Sequence, residues 1–591
     1  MTHRIDLISG SQALAYILRK ENVAGVYAYP GTSELALCST ISTTPGLKLI
    51  NSRGDAEAAF MSAGGCLIKP LKSLAILHGA RGLTNAAGAI IDANRNEIAS
   101  LYIVGLPSTN SARFLPPHGE NNLIANFGKL VKYADEIVKY PRAASSPKQV
   151  GLVARAFLEK IRGAFRVCKE MPYGSVVLGI PQNILENIWF PKSLLRSYTQ
   201  SEPGAQKPSS AQITITRALI DNAQWPVALI DDLLFRDVNA KDTLVKFSNR
   251  FNVPYFQVNY KRGPMLFEQM TSNNDSNFLG LYDPNNQYHR LALHKADLFI
   301  TLDDRNAYPR VTGCLSNCKK IAITSNPQMT TKNGYLTTKD TLLFGNVRDV
   351  LLDLIKTVGL GSSEQRRVNL SSSPIISNAK IKPDCVSPLK CLAIELAKSM
   401  KGLTFPVIVD DSQMFGGLIA QNYQYLPKRV RVFGDHGGFV GAGISYAAGF
   451  AKNHTSASVF CLIGDQGFIN GFKGLFSATE SNVKVVYLVC NNGRSVSLTK
   501  QSRAQGISNL ASSANKLLGN IPGLNYARLA SALKINYYNI PNGTIPQTAR
   551  RLRAALRSAI KCDGVSLINL HTPSDPIAWR GIWSVHGNEA T

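Results

Sequence analysis

No apolar run in this 591-residue chain approaches the length of a membrane-spanning helix, and the first residues lack the charged-then-apolar pattern of a secretory leader. Both absences point to a soluble protein with no membrane partner, and the cytoplasm is the expected compartment. Paired cysteines are missing as well. The ten cysteines are scattered, and Cys314 and Cys318, the closest pair, have no second pair to complete a zinc pattern. Several lie inside apolar runs, so buried reduced thiols and a reducing compartment are expected. Acidic residues are scarce: 39 Asp and Glu stand against 65 Lys and Arg, for a formal charge of +26. Such an imbalance ordinarily raises nucleic acid as a partner. Here the basic residues are spread thinly, with no long basic block and no nucleic-acid-binding motif. No nucleic acid is therefore expected, and attraction of anionic small molecules is the milder reading.

What the chain does contain is ordinary for a globular protein, 45% hydrophobic and 18% charged residues, in a length that suits two to four domains. Helix and strand patterns alternate through residues 1–195, with a helix predicted over Asp55 to Gly65 and strands over Val26 to Tyr29, Ser73 to Leu77 and Leu101 to Val104. Ser197 to Ala211, rich in Ser, Pro and Gly, reads as a linker. A middle region over 211–358 carries strand-like runs at Val227 to Ile230 and Leu298 to Thr301. A second polar linker runs from Gly361 to about Asp384, and a last domain from Cys385 to Thr591. The alternation predicts an α/β fold of three domains, each with a mainly parallel sheet flanked by helices.

The stretch from Gly464 to Asn492 organises the rest. The apolar run Val459 to Ile463 suits a buried parallel strand and ends at Gly464-Asp465, and a second run, Val485 to Val489, delivers Asn491 and Asn492. Open α/β sheets place ligands at the carboxyl ends of their strands. An anionic and an amide oxygen from two neighbouring strand ends suit a hard divalent cation such as Mg²⁺, which keeps phosphate or water as its other ligands.

Four further blocks accompany this one in order. VYAYPGTSELAL contains a strand broken by Pro30-Gly31-Thr32. GARGLTNAAGAIIDANRNEIASLYIVG has Gly79 and Gly82 for close backbone approach, with Thr84 and Asn85 placed to cap the helix that follows. SVVLGIPQ is a strand and its exit. GDHGGFVGAGISYAAGFA spaces Gly438, Gly441, Gly443 and Gly449 so that a helix N-terminus can meet an anion at close range.

Together these blocks resemble the thiamine diphosphate-dependent enzymes of the acetolactate synthase and 2-oxo acid decarboxylase type. In the middle region KRGPM at Lys261 and ADLFITL at Ala296 are similar to the same family. The resemblance implies a pyrimidine-binding, middle and diphosphate-binding domain in that order. It also implies a homodimer or homotetramer, with the cofactor between the first domain of one subunit and the third of another. Thiamine diphosphate and Mg²⁺ are the implied cofactors; FAD occurs in the middle domain of some members, but no phosphate-cradling motif supports it here.

Carried over residue by residue, the resemblance assigns the metal to Asp465, Asn492 and the main-chain carbonyl of Arg494. The cofactor falls to Thr84, Asn85, Gly438, Val440, Gly441, Gly464, Asp465, Gln466, Gly467 and Asn492. Val440 stands where a bulkier apolar residue usually bends the cofactor, and Gln466 replaces a glycine, which would strain the chain if that position required positive φ. The activating carboxyl aligns with Asp55, one methylene shorter than the usual Glu, and Glu57 is its rival. His118 is a candidate for substrate handling with Glu120 beside it, and Ser495, Ser497 and Lys500 are placed to line the pocket. The expected activity is decarboxylation of a 2-oxo acid followed by carboligation to a carbonyl acceptor. Simple decarboxylation and a catalytically weakened cofactor-binding subunit are the alternatives.

Overall fold

A computed structural model describes residues 6–582 except 112–113, 139, 142–144, 205, 261–264, 314, 316–317, 358–372, 383, 508, 510–515 and 522. Lys261 to Pro264 of the KRGPM segment, Cys314 and the first part of the second linker thus lie outside the described residues.

Three six-stranded parallel sheets carry the molecule. Strands β1 (Leu7–Ser9), β2 (Gly25–Ala28), β3 (Lys48–Asn51), β4 (Ser73–His78), β5 (Leu101–Leu106), β6 (Tyr133–Glu136), β7 (Val176–Pro181) and β8 (Ile188–Pro191) belong to the first domain. Its sheet runs β3-β2-β4-β5-β7-β6, while β1 and β8 pair antiparallel beside it. The middle sheet is built from β9 (Pro226–Ile230), β10 (Tyr255–Gln257), β11 (Phe278–Leu281), β12 (Leu298–Leu302), β13 (Lys319–Thr324) and β14 (Thr341–Phe344), in the order β11-β10-β9-β12-β13-β14. The last sheet uses β15 (Pro406–Asp411), β16 (Arg431–Phe433), β17 (Ser458–Gly464), β18 (Val485–Asn491), β19 (Asn536–Ile540) and β20 (Val565–His571), ordered β16-β15-β17-β18-β20-β19. Counted within each domain, the first and third sheets have the same strand order and the middle one differs. The strands are near-continuous apolar runs because helices cover both faces, as parallel sheets require.

The first and third domains share one core. The Asp55–Gly65 helix lies along the Ala442–Asn453 helix, and Ala58, Ala59 and Met61 pack with Ala442, Ile444 and Ala447. Backbones touch here: a Cβ on Gly449 would stand 1.9 Å from the Met61 carbonyl, and one on Gly64 would meet that of Tyr446 at 2.2 Å. Gly449, read as part of an anion-binding glycine block, therefore serves helix packing.

Two expectations about connections and caps change. The helix after β4 begins at Gly79, not after Thr84 and Asn85, which lie inside the Gly79–Arg95 helix; the Thr84 hydroxyl donates back to the Ala80 carbonyl (2.8 Å). The turn was misplaced because Gly79, with φ of +48°, lets the strand bend directly into the helix. The second linker is not bare, since the Pro374–Ala379 helix packs on the middle domain, where its Ala379 carbonyl meets His289 Nε2 at 3.0 Å.

The carboxyl edge of the middle sheet is acidic. Asp231 and Asp232 follow β9, and Asp303 and Asp304 follow β12, all four buried. Arg305 crosses from this edge to Glu97 of the first domain (Nε to Oε1, 2.8 Å) and also bonds Asp303 (3.0 Å). A cavity of about 340 Å³ lies at this junction of the three domains, lined by Glu97, Arg236, Arg305 and Arg431 among others. Arg305 is committed to carboxylates here, and four acids stand at the strand ends. Burial would raise the Glu97 carboxyl, but the Arg305 guanidinium holds it down at about 2. Arg305 keeps Asp303 when Glu97 is neutralised, so Glu97→Gln removes one arm of a buried network, and urea unfolding should show a loss of about 1–3 kcal/mol.

Candidate active site

The carboxyl ends of β17 and β18 lie side by side, with Gly464 level with Cys490. Asp465 therefore leaves its strand next to Asn492, as the two apolar runs predict. The Asp465 carboxylate is 3% exposed. It accepts N–H groups from Gln466 (2.8 Å, Oδ1) and Gly493 (2.7 Å, Oδ2), and the Asn492 side-chain oxygen accepts from the Arg494 N–H (3.2 Å). Burial pushes Asp465 up to about 6, and no Lys, Arg or His pairs with it among the described residues. A buried acid without a cationic side chain, next to an amide oxygen, fits a hard cation. Among the described residues no group of three His, Cys, Asp or Glu side chains competes for a metal.

Gln466 brings no strain. It sits in the first turn of the Asp465–Gly471 helix, is not among the positive-φ residues, and reaches the Leu518 carbonyl through Nε2 (3.2 Å). Gly464 ends β17 and Gly467 is buried in the same helix. Ser497 donates to Gln413 Oε1 (2.7 Å), linking the Val496–Ala504 helix to the end of β15, where Gln413 has φ of +52°. Ser495 caps that helix, whereas Lys500 turns away from the strand ends to the Ile582 carbonyl (2.6 Å).

The glycine block departs from expectation. Four of its backbone donors are already taken: Asp411 Oδ2 accepts from Gly441 (2.7 Å) and Gly443 (3.1 Å), while Asp435 accepts from Gly437 (2.7 Å) and Phe439 (2.9 Å). The N-terminus of the Ala442–Asn453 helix is thus capped from within the chain and not open to a diphosphate through those two glycines. Sequence spacing placed a helix N-terminus among these glycines but did not show that Asp411, thirty residues earlier, would cap it. What the block does present is Val440, 37% exposed, with its carbonyl held by Asn470 Nδ2 (2.5 Å) and the chain turned by Gly441 at φ of +98°. Gly438, at φ of +74°, has open space around it.

At the corresponding edge of the first sheet, Asp55 opens the Asp55–Gly65 helix and is buried. Its Oδ1 accepts the His78 N–H (3.2 Å) and lies 2.5 Å from where a Cβ on Gly82 would be. Burial raises its pKa above the ordinary carboxylate value. Glu57 lies on another face of the helix and pairs with Lys473 (3.2 Å). His118 comes to this edge, its ring 4.8 Å from that of His78, whereas Glu120 is half exposed and pairs with Arg81 (2.9 Å). Two residues that the sequence did not single out complete the group. Glu34 is fully buried and His78 ends β4, joined through Nδ1 at 3.1 Å. The PGTSE turn carries Glu34, but nothing local to it signals a partner forty-four residues away.

The two edges are fastened together by acids. Asn96 Nδ2 donates to both Asp92 Oδ2 (3.3 Å) and Asp435 Oδ1 (2.7 Å), and Tyr446 donates to Asp92 (2.8 Å).

Comparison with known proteins agrees with this architecture. Residues 8–126 match the family profile of the N-terminal TPP binding domain of thiamine pyrophosphate enzymes, and residues 415–570 match that of the C-terminal TPP binding domain. The chain belongs to the thiamine diphosphate-dependent enzymes of the acetolactate synthase and decarboxylase type. It is 23% identical over 517 residues to the acetolactate synthase large subunit of Haemophilus influenzae, covering 84% of each chain. To the acetolactate synthase isozyme 1 large subunit of Escherichia coli it is 20% identical over 590 residues, covering 96% of this chain and 94% of the other. Its fold is similar to that of benzoylformate decarboxylase from Polynucleobacter necessarius, with a TM-score of 0.74 at 15% identity over 96% of this chain and 99% of that one.

Burial, then the neighbouring Asp435, pushes the Asp92 carboxyl up to about 9. A raised acid stabilises the fold most below the carboxyl's ordinary pKa and loses that contribution as pH rises through its folded value. Asp92→Asn should therefore gain in Tm over the parent progressively from the ordinary carboxylate pKa up to about 9, with the gap constant above that, as differential scanning calorimetry across pH will read.

Proposed function

We propose that this enzyme decarboxylates a 2-oxo acid and joins the remaining acyl fragment to a carbonyl acceptor, using thiamine diphosphate and Mg²⁺. The observation that carries the reading is the buried Asp465 carboxylate beside Asn492 with no cationic side chain on it among the described residues. Asp465, the Asn492 oxygen and the Arg494 carbonyl would hold the metal, with Gln466 and Gly467 next to the diphosphate. Val440 and Gly438 would support the cofactor's rings. When bound, the cofactor supplies a nucleophilic carbon and accepts the electron pair that CO₂ leaves behind.

The chain's own residues supply the rest. Asp55, whose pKa burial raises, would exchange a proton with the cofactor's aminopyrimidine. Glu57 is tied to Lys473 and is the weaker candidate. A second copy of the chain would complete the site. Val440, Phe439, Phe472 and Phe476 are 37–41% exposed around the glycine block, and Tyr29 and Leu35 are exposed beside Glu34 at the first sheet's edge. Two apolar surfaces flanking half-sites suit a homodimer in which each first domain covers the partner's third. The nine cysteines described are free thiols, and none of the described helices is long and apolar enough to cross a membrane. Both facts support a cytoplasmic enzyme.

Release of an aldehyde without an acceptor is the second reading, favoured by the imidazoles of His78 and His118 at the reacting edge. Adding aldehydes or a second 2-oxo acid and following product carbon skeletons separates the two.

Isothermal titration should show heat for thiamine diphosphate with Mg²⁺, and Asp465→Asn should abolish it. In the loaded enzyme, Asp55→Ala should cut CO₂ release from the active 2-oxo acid by about 10²–10⁴-fold while cofactor heat persists. Full turnover in that variant sinks the assignment.

A further inference from the structure

Ser52, Arg53 and Gly54 join β3 to the helix that opens with Asp55, and the third domain meets each of them. The Ser477 hydroxyl donates to the Ser52 carbonyl (2.5 Å). Arg53 reaches Glu480 through two bonds, Nε to Oε2 at 2.5 Å and Nη2 to Oε1 at 2.8 Å. Its φ of +58° is one that a residue with a side chain keeps only where its surroundings fix it. Ser477 and Glu480 belong to the Gly474–Glu480 helix, which follows the Asp465–Gly471 helix after Phe472 and Lys473. The place of Asp55 is therefore fixed from the third domain of its own chain.

Gly54 shows what else this junction holds. Its φ is 175°, extended backbone open to any residue, so conformation does not call for glycine here. Space does: a Cβ would stand 2.1 Å from Glu57 Oε2 and 2.4 Å from Lys473 Nζ. The Glu57 carboxylate and the Lys473 ammonium, 3.2 Å apart, thus lie against the residue that precedes Asp55. Lys473 is the N-cap residue of its own helix, where a cation opposes the helix dipole. What holds it there is Glu57, across the junction. Burial raises the Asp55 pKa, and His78, then Lys473, draw it back down. A buried acid that is to give up a proton and recover it needs such a positive charge to offset its desolvation.

We propose that Lys473 is a positioning residue, a positive charge that the third domain holds against Asp55, and that Glu57 is its tether. This rests on the thiamine diphosphate reading, since that reading makes Asp55 the activating acid. The other groups that face Asp55 are His78 at the end of β4, with Glu34 and His118 around its ring, and Arg53 before it in the chain, bound to Glu480. Arg81, on the Gly79–Arg95 helix, is turned to Glu120. Lys473 is half exposed, so salt screens its charge.

Two measurements on the full chain test it. In the apo protein labelled with ¹³C-aspartate, carboxyl titration by NMR should place the Asp55 midpoint higher in Lys473→Met than in the parent, and lower in Glu57→Gln, which frees the ammonium from its partner. Lys473→Arg should keep the parent midpoint, as should Ser477→Ala, which loosens the loop without touching a charge. The gap between Lys473→Met and the parent should narrow in about 1 M salt. A Lys473→Met midpoint equal to the parent's overturns the proposal whether or not the enzyme turns over. Shifts of the same sign in Lys473→Met and Glu57→Gln overturn it as well, since they are the mark of a loosened loop. In the holoenzyme, the limb of the kcat/KM pH profile that follows Asp55 should move in the same two directions with cofactor heat retained, which a merely structural role would not produce. Shifted midpoints with an unmoved limb leave Lys473 a neighbour of Asp55 with no part in the reaction, and overturn the proposal alone. A parent that binds no cofactor overturns the functional reading first, and the NMR midpoints then decide the place of Lys473.

Discussion

Buried carboxylates at the ends of parallel strands are the constraint on which the rest of this molecule depends. Each of the three sheets ends in them: Glu34 and Asp55 in the first domain, Asp231, Asp232, Asp303 and Asp304 in the middle one, Asp410, Asp411 and Asp465 in the last. A chain with a formal charge of +26 has thus gathered a large share of its few acids where desolvation makes them costly. They persist because each is answered, by backbone N–H groups, by an arginine or imidazole, or by an added proton. Burial pushes Asp410 up to about 7 and raises Asp411 well above its ordinary value. The way each acid is answered separates the three edges. Arg305 locks the middle one, imidazole and helix serve the first, and the last keeps an acid for which no side-chain cation is provided among the described residues.

Much of this was legible in the sequence, and for a physical reason. Parallel strands covered on both faces read as short apolar runs, so β4, β5, β17 and β18 and the exits carrying Asp465 and Asn492 could be placed without coordinates. The Asp55–Gly65 helix was predicted at its observed bounds. Helix starts near glycines were harder. Thr84 and Asn85 have the composition of caps, but Gly79 had already turned the strand into the helix, and a local pattern cannot rank two permissible starts. Interactions across the chain were not legible at all. Asp411 reaches Gly441, and Glu34 reaches His78, only because neighbouring strands bring their ends together.

The matching strand orders of the first and third sheets bear on how the two halves meet. Similar frames put similar helices on the contact, and Gly64 faces Tyr446 much as Gly449 faces Met61. With bare backbones on both sides of the crossing, neither helix can shift along the other without a clash. The edges that carry Asp55 and Asp465 are therefore held by a rigid joint, supplemented by the Asn96, Asp92 and Asp435 cluster.

The internal capping of the glycine block has a further consequence for assembly. Since Asp411 and Asp435 answer the loop's N–H groups before any visitor arrives, the shape around Val440 is already set in the isolated chain. In the proposed dimer, docking would have little backbone freedom left to remove at that point, and the entropic penalty of encounter would fall mainly on the exposed phenylalanine rotamers. Recognition at this rim would be closer to the fitting of two finished surfaces than to the moulding of one upon the other.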